Sequence, residues 1–544
     1  MNQNSNHSTL SKAQPPRPSR GPKKTTTTNT TGRSRQNTSK NNFRPRNTKP
    51  RSGQNGASLS TQKVESKIPP VAPNVIRVIP LGGVEEVGKN MTAIEFNDDI
   101  VVIDIGLQFP DNDTPGVDFI IPDTTYLEKN KHKIKGVVIT HGHLDHIGGI
   151  PYVMPKIGNP PIYTSLLTGV MIKKRQEEFT HFPKLNVNVV DQKDKLKLGN
   201  LRLKFFGATH TIPDTLGVIV ETPYGNVILT GDIKIETENN KPVPFEVETY
   251  ENIGRENNLL LIADSTNVEK EGFSFPEKIV HANLKEIINK ATGRIIVSTF
   301  ASLFDRIVAV IEASEQLGKK VVVEGRSMKT NVDIAKELGI LKIKPTTIIT
   351  ADSMEEHPDD KLVILATGAQ GDEFAALMRI SNKTHKYIKL RKGDTVLLSS
   401  SVVPGNEKNV GKLKDNLARQ GANILHYGVA EIHSSGHSYR GEIEFIHKAI
   451  KAKYLIPVHG SHYMLRVHER IAQELGIKPE NIIVPDNGMV IEISNEGKTF
   501  KALKETASSN VVMVDGLGGS SLQEVVIRDR RMLSQDGMFV IIAT

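Results

Sequence analysis

Residues 136–151, GVVITHGHLDHIGGIP, constrain this chain more than any other stretch. An apolar run reads straight into His141, His143, Asp145 and His146, and a Gly-Gly pair follows. A short apolar run bounded by turn residues predicts a buried strand. The fold must therefore hold imidazoles and a carboxylate at the end of a core strand. Two imidazoles two residues apart at a strand end can share one ion, and Asp145 and His146 can turn toward a second. Imidazole plus carboxylate without sulfur suits Zn²⁺ or Mn²⁺ and leaves positions open for water. The bland alternative is a set of solvated turn histidines. Chance would give this spacing roughly once in a thousand such chains, which sets that alternative aside.

The absence of cysteine from 544 residues excludes a disulfide scaffold, thiolate zinc sites and cysteine nucleophiles. It fits a cytoplasmic protein. No apolar run approaches the ~18 residues of a membrane span, and the opening MNQNSNHSTL lacks the basic start and apolar centre of a signal peptide. The net charge of +9 is unevenly spread. Fourteen Lys and Arg against one acid (Glu65) give residues 1–70 a charge of +13, which leaves −4 for the rest. That segment is rich in Ser, Thr, Asn and Pro and has Phe43 as its only aromatic. Such a composition predicts a disordered basic tail over 1–73. It reads as a solubility segment or, the favoured reading, as an electrostatic arm for nucleic acid.

From about Asn74 short apolar runs follow closely, among them MTAIEF, IVVIDIG, LRLKFFGA, LGVIVET, NVILTGD and LLLIADS. They predict a strand-dominated domain of stacked sheets over 74–275 with few helices. Over 276–429 strands such as IIVSTF, VVVEG, LVILATG and TVLLSS alternate with helix-length segments. That alternation predicts a parallel sheet with crossover helices. The His-rich strand-and-turn style returns over 430–505, with YLIPVHG and MVIEI. The middle domain is therefore expected to be inserted into the first. Residues 506–544 read as a Gly-rich linker and the start of a truncated further domain.

Other candidate ligands fall at strand ends: His210 after LKFFGAT, Asp232 in LTGD and His459 in PVHG. Each alone reads equally as a surface residue. Together they complete a two-ion site, with His210 for the first ion, His459 for the second and Asp232 as a bridge. Asp104, in IDIG, is expected to orient a ligand histidine or the bound water.

These residues resemble the metallo-β-lactamase superfamily, whose defining motif is HxHxDH. The acid of ADSTN (Asp264), the second histidine of HSSGH (His437) and His459 narrow the resemblance to the β-CASP nucleases. The series LGGVEEVGKNM, IDIGLQFP, HGHLDHIGGIPY, HTIPDTLG, LTGDIK, ADSTN, STFAS, HSSGH and PVHG is similar to the ribonuclease J family across residues 75–544. The resemblance implies an α/β fold: a metallo-β-lactamase αββα sandwich with an inserted β-CASP domain. It also implies an RNA endonuclease with 5′→3′ exonuclease activity, acting in rRNA and mRNA maturation and decay. The ligands would be His141, His143, Asp145, His146, His210, Asp232 and His459, holding two divalent ions per subunit, Zn²⁺ ahead of Mn²⁺. A hydroxide held by both ions would attack the phosphodiester. Asp232 and Asp104 would support that chemistry, and His437 would protonate the leaving oxygen or, in the other reading, only bind phosphate.

Phe300, Ala301 and Ser302, with His433, Ser434, Ser435, Gly436 and His437, would line the nucleotide pocket, favouring a 5′-monophosphate. Leu303 stands where the family usually has Asn, while Arg306 remains; Ser461 and His462 stand where Glu and Tyr are usual. A homodimer or homotetramer and no membrane partner complete the expectation. Its rivals are another hydrolase of the same metal motif and an RNA-binding scaffold with an unused site.

Overall fold

The computed structural model describes residues 68–110, 116–403 and 406–515, with scattered positions beyond 515. The basic tail predicted over 1–73 lies outside them up to residue 67. So does most of the expected linker, in which Val512–Asp515 pairs antiparallel with Phe119–Ile121.

Two sheets stack face to face. Across the first, of eight strands, the order is Thr499–Thr506, Met489–Ser494, Ile76–Gly82, Met91–Phe96, Asp99–Ile103, Ile134–Val138, Ile162–Thr164 and Val187–Val189. The second has six, in the order Tyr454–Val458, Asn258–Asp264, Gly225–Leu229, Leu216–Thr222, Leu201–Gly207 and Lys195–Leu198. Strand side chains alternate between faces, so each strand feeds two cores. Ile76, Val78, Val101 and Ile103 of the first sheet meet Leu203, Phe205, Val218, Val220 and Ile262 of the second. The intervening residues Ile79, Leu81, Ile100 and Val102 face the opposite way, onto Ile150, Val153 and Ile172 of flanking helices. On the far side of the second sheet, Ile219, Ile228 and Leu261 pack on Tyr250, Ile446 and Ala472 of three more helices. This is an αββα sandwich, held together by the apolar facing sides of its two sheets.

A third sheet is wholly parallel, in the order Ile348–Ile349, Lys320–Glu324, Leu362–Ala366, Ile295–Ser298, Thr395–Leu398 and Asn423–His426. Helices cover both of its faces, which explains the continuous apolar runs. The chain leaves the sandwich after Asn258–Asp264 and returns to that strand's parallel neighbour, Tyr454–Val458. The second sheet is therefore completed only after the inserted sheet has been traversed.

Two helices before Phe273 are longer than the sequence pattern implies: Leu166–Gln176 and Pro244–Gly254, 11 residues each. Each buries only a narrow stripe, such as Glu246, Tyr250 and Ile253, so charged and small residues hide the 3.6-residue period. Among the described residues no helix is long and apolar enough to cross a membrane.

Candidate metal centre

Polar side chains gather at the carboxyl ends of the sandwich strands. Three neighbours of the second sheet, Gly225–Leu229, Asn258–Asp264 and Tyr454–Val458, run parallel. Their carboxyl ends lead to Asp232, Asp264 and His459. In the first sheet Asp99–Ile103 and Ile134–Val138, also parallel, lead to Asp104 and to Thr140 and His141. Asp145 and His146 sit on the single helical turn Leu144–Ile147 that follows. Asp104 and His459 adopt left-handed backbone, with φ of 61° and 55°. Neither is glycine, so each costs about 1–3 kcal/mol of local strain that the surrounding structure must offset. In return both side chains turn inward at the strand end.

Among the described residues ligand-type atoms form four groups, each within 4.8 Å throughout. Two of them are His141, His143, His210 and Asp232, and Asp145, His146, Asp232 and His459. Asp232, Asp264, His437 and His459 make a third, and the exposed Glu85, His462 and Asp486 a fourth. Asp232 belongs to the first three. Its Oδ2 is buried with no hydrogen-bond partner among the described residues, although His141 Nε2 lies 3.5 Å and His210 Nε2 3.8 Å away. A buried carboxylate oxygen left unpaired among imidazoles is costly unless a cation takes its lone pair.

The outward nitrogens of the histidines show which lone pairs point in. Gly436 O can only accept, so His210 Nδ1–H donates to it at 2.6 Å and Nε2 faces the cluster. The same logic gives His146, whose Nδ1–H donates to Asp104 at 2.8 Å. Thr140 Oγ1 donates to Asp104 and so accepts from His141 Nδ1–H at 3.0 Å. Thr211 Oγ1 lies 3.2 Å from His143 Nε2, and Thr266 Oγ1 2.8 Å from His459 Nδ1. Every histidine of the first two groups is thus tied on its outer side, as metal-ligating imidazoles are. The inner nitrogens converge: His143 Nδ1 is 3.1 Å from both His141 Nε2 and His210 Nε2. This donor set fits divalent metal binding.

Electrostatics divides the cluster. Burial pushes His141 and His210 well below the ordinary imidazole range and His143 down to about 4. Those three rings are neutral at pH 7. Burial would also lower His146 and His459, but Asp232, with Asp104 and Asp145 at His146 and Asp145 and Asp264 at His459, outweighs it and raises both. A cation in that second group must displace protons, so its affinity rises with pH.

Asp104 accepts from Thr140 N–H and from His146 Nδ1–H, at 2.8 Å each. His437 Nδ1–H donates to Asp264 at 2.7 Å, and its Nε2 stands 4.0 Å from Asp232 Oδ2. Ser435 Oγ accepts from Asn267 Nδ2 at 2.6 Å, and among the described residues nothing accepts its own proton. Ser434 is different, because its hydroxyl donates to the Phe275 carbonyl and is buried. Phe300, Ala301 and Ser302 lie between Ile295–Ser298 and the helix Phe304–Gln316, at the carboxyl edge of the inserted sheet. Leu303 is buried. Ser461 caps the helix His462–Glu474, and His462 pairs with Glu85 at 3.2 Å.

Sequence reasoning passed over Asn90, Thr140, Thr211, Thr266 and Asn267. Asn90 Nδ2 lies 3.1 Å from His146 Nε2. Gly436 matters for space: a Cβ there would lie 2.7 Å from His210 Cε1 and 2.6 Å from Thr211 Cγ2. Gly436→Ala should displace both ligand supports and weaken cation binding about 10–100-fold. Competition with a fluorescent chelator measures this; affinity within twofold of the parent protein would mean His210 does not need that contact.

Comparison with known proteins agrees in three places along the chain. Residues 84–255 match the metallo-beta-lactamase superfamily, residues 292–417 the beta-CASP domain of ribonuclease J, and residues 425–485 the Zn-dependent metallo-hydrolase RNA specificity domain. The chain is 37% identical to ribonuclease J 1 of Streptococcus pyogenes, over 87% of this chain and 83% of that protein. It is 38% identical to ribonuclease J of Thermus thermophilus (86% and 82% covered) and 34% identical to ribonuclease J2 of Bacillus subtilis (86% and 83%). A solved structure, a protein of unknown function from Enterococcus faecalis, shares the fold, with a TM-score of 0.54 at 16% identity over 77% of this chain and all of that one.

Proposed function

The chain belongs to the ribonuclease J family and is a metal-dependent, phosphodiester-hydrolysing ribonuclease; from that premise we propose that it cuts RNA internally and also degrades it 5′→3′. Its substrates on this reading are ribosomal and messenger RNAs, with a 5′-monophosphate preferred. The observation that carries the proposal is Asp232, shared by two donor groups with one buried oxygen unpaired.

His141, His143 and His210 would hold one cation and Asp145, His146 and His459 the other, Zn²⁺ ahead of Mn²⁺, with Asp232 between them. Such ions, when bound, polarise phosphoryl oxygens and make water reactive near neutral pH. The protein's own groups do the rest. Asp104 and Thr140 hold the His146 and His141 rings in place. Asp264 fixes His437 so that Nε2 faces the reacting phosphate and delivers a proton to the leaving oxygen. Ser302 and Ser435, whose hydroxyl protons meet no acceptor among the described residues, and His433 receive the 5′ phosphate.

The test uses metal-depleted protein on 5′-labelled RNA, with Zn²⁺ or Mn²⁺ restored. Cleavage should return with either ion. Decay of 5′-monophosphorylated RNA should exceed that of 5′-triphosphorylated RNA by about ten- to hundredfold, the worth of one charge-assisted hydrogen bond. Equal decay would leave an endonuclease only. Binding without any cleavage would favour the scaffold reading.

The basic segment supports an RNA partner by its charge. Removing residues 1–67 should flatten the log–log salt dependence of RNA binding by about 0.7 for each engaged cation. An unchanged slope would assign the segment another role. A cytoplasmic homodimer or homotetramer completes the proposal.

A further inference from the structure

Within HSSGH, His433 and His437 are treated oppositely by their neighbours. His437 donates through Nδ1–H to a carboxylate, whereas His433 Nδ1 faces a guanidinium. Arg306, on the helix Phe304–Gln316 and almost fully buried, spends Nε and Nη2 on Glu277 at 2.9 and 2.7 Å. Its Nη1 donates to the Ser399 carbonyl at 3.1 Å and to His433 Nδ1 at 2.7 Å. A guanidinium has no acceptor and stays protonated in proteins. His433 Nδ1 must therefore accept, and the neutral ring carries its proton on Nε2. Among the described residues nothing accepts from that Nε2–H.

We propose that Arg306 is a positioning residue that locks His433 into the Nε2–H tautomer, so that His433 meets a terminal phosphate as a neutral, single-proton donor. This rests on the reading that the segment receives the 5′ phosphate.

The charged groups around the ring agree. Burial and then Arg306 push His433 down to about 3, with Lys270 and Lys234 acting in the same sense and Glu277 against them. Arg306 adds little net charge, because Glu277 grips it bidentately. A pocket built this way recognises a phosphate by donor direction. A cationic pocket would reward each added charge and so favour a triphosphate; a neutral donor gives no such reward. His433 also contributes no titration of its own above about pH 5, so the pH dependence of end recognition should follow only the second ionisation of the phosphate, near pH 6.

Two measurements on the full-length chain test the proposal. Long-range ¹H–¹⁵N spectra of His-labelled parent protein, with His433→Gln to assign the resonance, should show His433 protonated on Nε2 and unchanged from pH 8 to 5. A signal protonated on Nδ1, or titrating between pH 5 and 7, overturns it. The second is the ratio of monophosphate to triphosphate decay rates. His433→Gln keeps an amide N–H near the Nε2 position and should retain most of the preference, whereas His433→Phe should lose about ten- to hundredfold. Arg306→Lys should release the tautomer in the spectra and reduce the ratio, increasingly so toward low pH. If His433→Phe leaves the ratio intact, the pocket reading itself fails. If His433→Phe collapses the ratio but Arg306→Lys leaves both tautomer and ratio as in the parent, only the role of Arg306 is overturned.

Discussion

Asp232→Asn is expected to reduce RNA cleavage by roughly 10³-fold or more while leaving the fold intact. Lewis-acid stabilisation by bound cations is worth several kcal/mol, and each 1.36 kcal/mol is tenfold in rate. The substitution keeps the shape of the side chain but removes the single negative charge common to both donor groups. Bound metal, counted by elemental analysis, should fall from two ions per chain to one or none. Stability of the metal-depleted protein should fall, because Asp232 there is the buried carboxylate that offsets the charge of His146 and His459. A variant that keeps two ions and cleaves at the parental rate would sink the shared-ligand assignment.

His437→Ala should cost about 10²–10⁴-fold in the chemical step, the usual contribution of a positioned proton donor. Metal content should be unchanged, since two of the three donor groups around Asp232 are complete without this residue and the third engages His437 through Asp264. The discriminating measurement uses two leaving groups. With RNA the leaving oxygen is a poor one and needs a proton; with bis(4-nitrophenyl) phosphate the departing phenolate does not. The defect should largely vanish on the activated ester. An equal defect on both substrates would mean His437 binds phosphate and carries no proton. Asp264→Asn should give a smaller version of the same pattern, because it removes the negative charge from the acceptor that sets the His437 ring.

Much of this site could be read before any coordinates. HGHLDH is a local pattern whose spacing fixes where its side chains go, and Asp232, His210 and His459 each follow an apolar run that had to be a strand. What the sequence hid is the layer behind them. Thr140, Thr211 and Thr266 are ordinary polar residues with no spacing signal. Their importance lies in which imidazole nitrogen they meet, and that depends on strands far apart in sequence. Ser434 shows the converse: the HSSGH pattern offers two hydroxyls, but only packing against Phe275 reveals that one is already spent. The helices Leu166–Gln176 and Pro244–Gly254 were obscured because each buries too few residues for a clear period. The parallel sheet was plain because both its faces are covered, which writes unbroken apolar runs into the chain.

The inserted sheet also orders the two donor groups in time. His141, His143, His210 and Asp232 all precede the insertion, whereas His437 and His459 follow it. At about 5–20 residues per second, a ribosome takes roughly 10–45 s to pass from residue 232 to residue 459. For that interval a nascent chain can assemble one donor group but has no strand Tyr454–Val458 to close the second sheet and no histidine to pair with Asp264. An enzyme that destroys RNA is thereby synthesised beside its own message with its reactive centre incomplete until the last strand of the second sheet has left the ribosome.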